Sequence, residues 1–250
     1  MTRIIGVLNY KGGTGKTTTV VNLAAGLALR GERVLCVDLD AQGSLATYMG
    51  VRYTHSLADL LAGQASLKDC IIPVRERFDL IASDRSLLQA EGQLWRLNDD
   101  ERARSLLAEK MAAVNDYSYV ILDYSPSISL IGQGALMYAN EIIVPAAMNY
   151  LAMIGTRQVI ETLKTVGRTP GHAVHLSMIV PTFYSAHLRK DREIMEALNQ
   201  HFSGYVSEPI RINVSLAEAC SRRASIYEYA PRSAGAIDYA RLVEKVVSHE

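Results

Sequence analysis

Along the chain, short runs that are apolar at nearly every position alternate with longer amphipathic stretches. The runs, rich in Val and Ile, are "RIIGVLN" (3–9), "RVLCVDLD" (33–40), "FDLIAS" (78–83), "SYVILDY" (118–124), "EIIVPAA" (141–147) and "AVHLSMIVP" (173–181). Runs without a polar face predict parallel strands buried on both sides. Helices are expected over "KTTTVVNLAAGLALR" (16–30), "LNDDERARSLLAEKMAAVN" (97–115), "AMIGTRQVIETLKTVG" (152–167) and "LRKDREIMEALNQHF" (188–202). The second opens with acidic residues, which suit the positive end of a helix dipole. The third and fourth repeat apolar residues at three- and four-residue spacing. The closing "YARLVEKVVSHE" (239–250) belongs to a last core helix. This order predicts an α/β fold: one doubly wound, mostly parallel sheet flanked by helices, with ligands at the carboxyl ends of strands. Without repeats, sustained heptads or a Pro/Gly/Ser-rich linker, residues 1–250 read as a single domain.

Composition narrows the class. The chain has 250 residues, 49% hydrophobic, with 26 Lys+Arg against 26 Asp+Glu. That supports a sizeable core. Zero net charge means that contact with nucleic acid needs a local basic patch. Cys36, Cys70 and Cys220 are too dispersed for a disulfide framework or a zinc site, and Cys36 falls in an apolar run that should bury it. "KGG" interrupts the first apolar run too early for a signal peptide. No apolar run approaches the ~20 residues that span a bilayer. A cytoplasmic location is therefore expected.

Candidate chemistry begins at "NYKGGTGKTT" (9–18), between the first strand and the first helix. It nearly matches the phosphate-loop pattern G-x-x-x-x-G-K-[ST], with Gly15, Lys16 and Thr17 in place but Tyr10 where the first glycine belongs. Gly12, Gly13 and Gly15 let the backbone turn its N–H groups inward, and the helix adds its dipole. Thr14 and Thr18 complete the cradle. Lys16 would pair with β- and γ-phosphate oxygens, and the Thr17 hydroxyl would ligate Mg²⁺. Carboxylates stand at two strand ends. Asp38 and Asp40, two apart in an extended segment, should project to the same side; one could orient the attacking water while the other helps hold the Mg²⁺ shell. Asp123, ending "YVILD", is the expected Mg²⁺ partner through water.

"KGGTGKTT" led by Lys11, "VDLDAQGSLA", "VILDYSPSISLIGQGAL", "VPAAMNYLAMIG" and the C-terminal "RINVSLAEACSRRASIYEYAPRSAGAIDYARLVEKV" together resemble the ParA-type partition ATPases. These form the deviant-loop branch of the P-loop NTPases, within the ParA/MinD superfamily, and the resemblance spans almost the whole chain. It implies a slow, partner-stimulated ATPase that uses ATP/ADP and Mg²⁺. It implies a nucleotide-sandwich homodimer in which Lys11 reaches the partner's phosphates, offsetting charge at the interface. It also implies non-specific DNA binding by the ATP dimer, a nucleoid-associated location, and a ParB-like or adaptor protein that stimulates hydrolysis. The cargo would be a plasmid, a chromosome or a protein assembly. Pro209 and Asn213 match the family's adenine-contacting segment, though Asn213 also suits a plain N-cap. Arg222, Arg223 and Arg232 fall where the family carries DNA-contacting basic residues and would meet phosphates without sequence readout; a solvated charged turn is the alternative.

Departures from the family pattern are Tyr124 in place of a small residue, Ser125 before Pro126, Gly134 in place of asparagine, Ser215 in place of a basic residue and Cys220 in place of proline. Tyr10 is expected at the dimer edge or beside the nucleotide, with Gly12 supplying the loop's flexibility. A membrane-positioning ATPase of the MinD kind is the alternative function; the closing segment lacks a basic-aromatic face for a bilayer, so no membrane partner is expected. An Fe–S electron-transfer ATPase would need two bridging thiolates per chain, which the cysteine positions do not offer. A kinase or synthetase would need an acceptor-substrate constellation, and none is visible.

Overall fold

The computed structural model describes residues 2–96, 100–127, 129–168 and 174–248. Residues 97–99 of the expected second helix, Ala173 of the last expected strand, and His249 and Glu250 lie outside the described residues. In chain order the elements begin with β1 (Arg3–Val7), α1 (Lys16–Leu29), β2 (Val34–Asp38), α2 (Ser44–Met49), α3 (Leu57–Ala62) and α4 (Leu67–Cys70). There follow β3 (Ile71–Arg75), β4 (Phe78–Ile81), α5 (Ser86–Arg96), α6 (Asp100–Met111), β5 (Tyr119–Asp123) and α7 (Leu130–Tyr138). The remainder are β6 (Glu141–Ala147), α8 (Ala152–Val166), β7 (His175–Tyr184), α9 (Arg189–His201), β8 (Ile210–Arg211), α10 (Val214–Ser221), α11 (Ile226–Tyr229) and α12 (Ala234–Ser248).

All the strands join one sheet in the order β3-β4-β2-β5-β1-β6-β7-β8. Every neighbouring pair is parallel except β3 with β4. Period two divides each central strand between two cores. Leu35, Val37, Val120, Leu122, Ile142 and Val144 face the side covered by α3 and α5–α8. Ile5, Val7, Val34, Cys36, Ile121 and Ile143 face the side covered by α1, α2 and α12. The six expected strands are present, residues 141–147 with the expected bounds and the other five with shifted ends. β3 and β8 were not expected: β3 contains Pro73, which suits only an edge strand, and β8 has two residues. The helices between residues 44 and 96 also lay outside the expectations; α3 is begun by a capping box of Ser56 and Asp59.

Two departures have packing reasons. The buried ring of Tyr124 lies over Gly6 of β1, where a Cβ would approach Tyr124 Cε2 to 2.8 Å and Ile142 Cδ1 to 2.5 Å. Tyr124 therefore fills space that a glycine on the central strand leaves open. Gly134 packs α7 against the α6 backbone, and a Cβ there would stand 3.0 Å from the Arg104 carbonyl oxygen. A side chain there would have to push the α6 backbone back by a few tenths of an ångström.

Candidate nucleotide site

The site sits at the carboxyl end of β1, where the chain turns through residues 8–15 into α1. Gly13 (φ 70°) and Gly15 (φ 87°) take the left-handed conformation that makes the turn possible. Gly12 does not, so the expectation that it is the flexible residue is corrected to Gly13 and Gly15. An open cavity of about 350 Å³ is lined by Gly12, Gly13, Thr14, Gly15, Lys16, Thr17 and Thr18, and closed by Asp40, Ser44, Pro126 and Phe183. The loop glycines, Lys16, the threonines and Asp40 thus converge as expected.

The loop is held by residues from distant segments. Asn9, buried at the end of the first apolar run, donates to the Pro145 carbonyl (2.8 Å) and accepts from the Lys11 amide (3.0 Å). Thr182 Oγ1 donates to the Thr14 carbonyl at 2.9 Å. Lys11 Nζ donates to Asn149 Oδ1 at 2.7 Å, placing its ammonium beside the start of α8. Asn9, Asn149, Thr182 and Phe183 were not anticipated. Asn9 alone gave a signal, a polar residue closing an apolar run. Tyr10 turns inward: it is half-buried against the core, and its hydroxyl donates to Thr162 Oγ1 at 3.1 Å. It is not among the residues that line the loop cavity, which corrects its expected place beside the nucleotide.

Buried charge dominates the cradle. Thr17 Oγ1 donates to Asp123 Oδ2 at 2.7 Å, while Asp123 Oδ1 is buried without a partner. Asp38 stands opposite Asp123 in the β2–β5 register and is fully buried. Its two oxygens accept from the amides of Asp40 and Leu45, each at 3.0 Å. Burial, with Asp40 nearby, raises the Asp38 carboxyl to about 7. Burial, and then the Asp38 charge, raises Asp123 well above the carboxylate range. Burial lowers Lys16, partly offset by Asp123 and Asp40, and its ammonium donates to the Lys11 carbonyl at 3.1 Å. Asp40 lies beyond the end of β2, in the turn where its Oδ1 accepts from the Gln42 amide at 2.9 Å. The same-side arrangement of Asp38 and Asp40 is corrected accordingly. Asp38 braces the turn, and Asp40 is the carboxylate facing the cradle.

This donor set fits a hard divalent cation. A hydroxyl and a buried carboxylate with an unpartnered oxygen meet at the mouth of a phosphate loop. Thr17 and Asp123 would hold Mg²⁺, whose charge would favour the ionised carboxylate that burial now disfavours.

Gly15, Thr18 and Phe183 also line an adjoining cavity of about 330 Å³, with Thr182, Ile210, Arg211, Asn213, Leu216, Ala217, Cys220 and Tyr239. It has the apolar walls and sparse polar groups of a base pocket. Asn213 lines it and also caps α10, its Oδ1 accepting from the Ser215 amide at 2.8 Å. Pro209 is not among the lining residues. Arg222, Arg223 and Arg232 are exposed. Arg223 lines an open cavity beside the Asp40 turn.

The sequence profile of a family described as an AAA domain matches residues 2–176. The chromosome-partitioning ATPase Soj of Treponema pallidum is 31% identical over 247 residues, covering 97% of this chain and 96% of its own. Soj of Thermus thermophilus is 36% identical over 247 residues, covering 98% and 96%. Among solved structures, MinD of Pyrococcus horikoshii complexed with Mg-ADP superposes with a TM-score of 0.83 at 25% identity, covering 98% of this chain and 96% of that one. Cobyrinic acid a,c-diamide synthase of Mycobacterium smegmatis, with a bound ATP analogue and magnesium, has a TM-score of 0.85 at 27% identity, covering 100% and 96%. With its lysine-led loop, strand-end aspartates and full-length similarity to Soj, the chain belongs to the ParA/MinD superfamily of partition and positioning ATPases.

Proposed function

We propose that this chain, acting as one ATPase domain over residues 1–250, is an ATP-driven dimerising switch. With ATP and Mg²⁺ bound it dimerises, binds DNA non-specifically and so segregates or positions a cargo; hydrolysis resets it. Lys16, the loop amides and Thr17 hold the phosphates, Thr17 and Asp123 the Mg²⁺, and Asp40 orients the attacking water, while the adjoining pocket by Asn213 takes the base. A ParB-like or adaptor protein would stimulate the reaction, placing the protein in the cytoplasm on the nucleoid. The observation that carries the dimer is the setting of Lys11. Its ammonium sits beside Asn149, next to Tyr150 (86% exposed), Leu151 (49%) and Ile154 (56%). A cation beside exposed aromatic and aliphatic side chains is what a nucleotide-spanning interface requires.

Two other readings are separable. Among the described residues no helix is long and apolar enough to cross a membrane. The apolar residues Tyr239, Leu242, Val243 and Val246 of α12 are buried in the core, so they offer no face to a bilayer. An amide synthase on this fold would need an acceptor substrate, since fold alone does not assign chemistry.

The test is multi-angle light scattering with ATP and Mg²⁺, alongside phosphate release without any acceptor. Wild type should dimerise and turn over slowly, below the ~10 s⁻¹ enzyme median. Asp40→Ala should dimerise with turnover reduced by about 10²–10⁴-fold, and Lys11→Ala should bind ATP yet remain monomeric. A wild type that stays monomeric with ATP, or Lys11→Ala that dimerises normally, overturns the switch.

A further inference from the structure

Behind the Asp40 turn lies a further open cavity, of about 460 Å³. Gln42 and Gly43 form one wall, and three arginines reach it from separate parts of the chain: Arg52 after α2, Arg85 between β4 and α5, and Arg223 after α10. All three are exposed, and among the described residues none has a carboxylate partner. Arg3, Arg75, Arg189, Arg211 and Arg241 are each ion-paired by contrast. The acid on the cavity wall, Asp84, is engaged by the Ser86 amide at 2.8 Å and, at 3.5 Å, by the Tyr53 hydroxyl. In a chain of zero net charge, three unpaired guanidiniums converging on one cavity leave a local excess that an anion would offset.

Backbone geometry supports the convergence. Arg223 has φ 58°, in the left-handed region that non-glycine residues seldom occupy. Its aliphatic stem lies across Gly50, itself at φ 67°, where a Cβ would collide with it. The guanidinium is therefore held on the cavity by two unusual backbone conformations rather than by an acid.

The geometry points to a nucleic-acid backbone site: Arg52, Arg85 and Arg223 together bind phosphates of one DNA duplex, against the turn that carries Asp40. This rests on the reading of the protein as a non-specific DNA binder and specifies where the contact is made. Guanidiniums suit phosphate oxygens through paired N–H donors. The aliphatic lining is small (Ala41, Ala46 and Val51), and the Tyr53 hydroxyl is bonded to the Ser83 carbonyl at 3.0 Å. A protein partner would need a deeper apolar anchor point. The Gln42 amide donates to Asp40 Oδ1 and the Gly43 amide to the Asp40 carbonyl (3.0 Å), so the backbone that faces the DNA also orients Asp40.

The experiment is fluorescence anisotropy of a labelled non-specific duplex with the full chain, ATP and Mg²⁺, across a salt series. Arg52→Ala and Arg85→Ala should each weaken binding about 3- to 10-fold and lower the log–log salt slope by about one. Arg85→Lys, which keeps the charge, should recover most of the affinity and guards against a folding defect. Arg189→Ala, removing an arginine paired on α9 with Glu193, should bind as wild type. Unchanged affinity and slope in Arg52→Ala and Arg85→Ala, with wild type binding normally, overturns this site and leaves the DNA reading intact. A wild type that does not bind DNA overturns both. Tighter binding of a labelled oligo-glutamate than of DNA reassigns the cavity to an acidic protein.

Discussion

At the amino-terminal ends of β1 and β6, Arg3 and Glu141 meet as a bidentate pair, Nε to Oε1 at 2.8 Å and Nη2 to Oε2 at 2.9 Å. Arg3 also donates to the Val246 carbonyl at 2.7 Å, tying the sheet to α12. At the opposite ends of β2 and β5, Asp38 and Asp123 face each other in register, and one Asp123 oxygen has no partner. Both regions bury carboxylates beside a basic side chain. At one end charge and hydrogen bonds close on themselves; at the other Lys16 donates to a backbone carbonyl instead. Local rules broken without compensation inside the chain mark a place that a ligand completes.

The largest way to break this comparison is Lys16→Ala. If the cradle awaits phosphates, removing its one buried ammonium should weaken ATP binding by about 100-fold or more, roughly 3 kcal/mol, by calorimetry. The fold should be intact by circular dichroism, since the Lys16 ammonium donates to a backbone carbonyl of its own loop. Near-normal ATP affinity would mean that the loop amides suffice.

How much of this contrast was legible beforehand differs between its parts. The phosphate loop could be read because its residues are contiguous, and each position's job is local backbone or charge chemistry. Asp38, Asp40 and Asp123 stood out as acids ending apolar runs, but their division of labour did not. Whether a strand-end aspartate points at a ligand or braces a turn depends on the segment that follows: the amides of Asp40 and Leu45 take both Asp38 oxygens, whereas one Asp123 oxygen is left without a partner. Thr182 and Asn149 lie more than 130 residues from the loop atoms they bind, and only the sheet order brings them there. Tyr10 misled because a residue inside a phosphate loop suggests a ligand, whereas its ring found the α8 side of the core. Strand β3 was hidden by Pro73, and the central strands were plain because burial on both faces leaves an apolar signature that edge strands lack.

A sharper test applies one chemical change to both ends. Asp123→Asn keeps the shape and removes the carboxyl whose ionised form burial disfavours. The nucleotide-free protein should become more stable by about 1 kcal/mol, a rise in Tm of about 2–4 °C. The same variant should lose Mg²⁺-dependent ATP affinity. Glu141→Gln, the identical change at the paired end, should lower Tm by a similar amount because it strips the Arg3 guanidinium of its counter-charge. The opposite signs carry the point, and a fall in Tm in both variants would make the carboxyl end an ordinary satisfied core.

The smallest effect concerns acid. Burial alone would raise the Glu141 carboxyl, but the hydrogen bonds and charge of Arg3 outweigh it and hold the group below its ordinary 4.5. Because the folded value lies below the unfolded one, the pair contributes its full stability above about pH 4.5 and loses it as pH falls through the folded value. Both side chains keep some contact with water, 17% for Arg3 and 11% for Glu141, which limits the contribution to about 1 kcal/mol. In urea unfolding curves, wild type should exceed Glu141→Gln by a constant margin from pH 7 to pH 5.5, and the margin should close towards pH 3. A margin that persists unchanged at pH 3 would mean that the carboxylate's charge contributes nothing and that the side chain's shape does. The amino-terminal end would then no longer stand as the region where paired charge closes the fold.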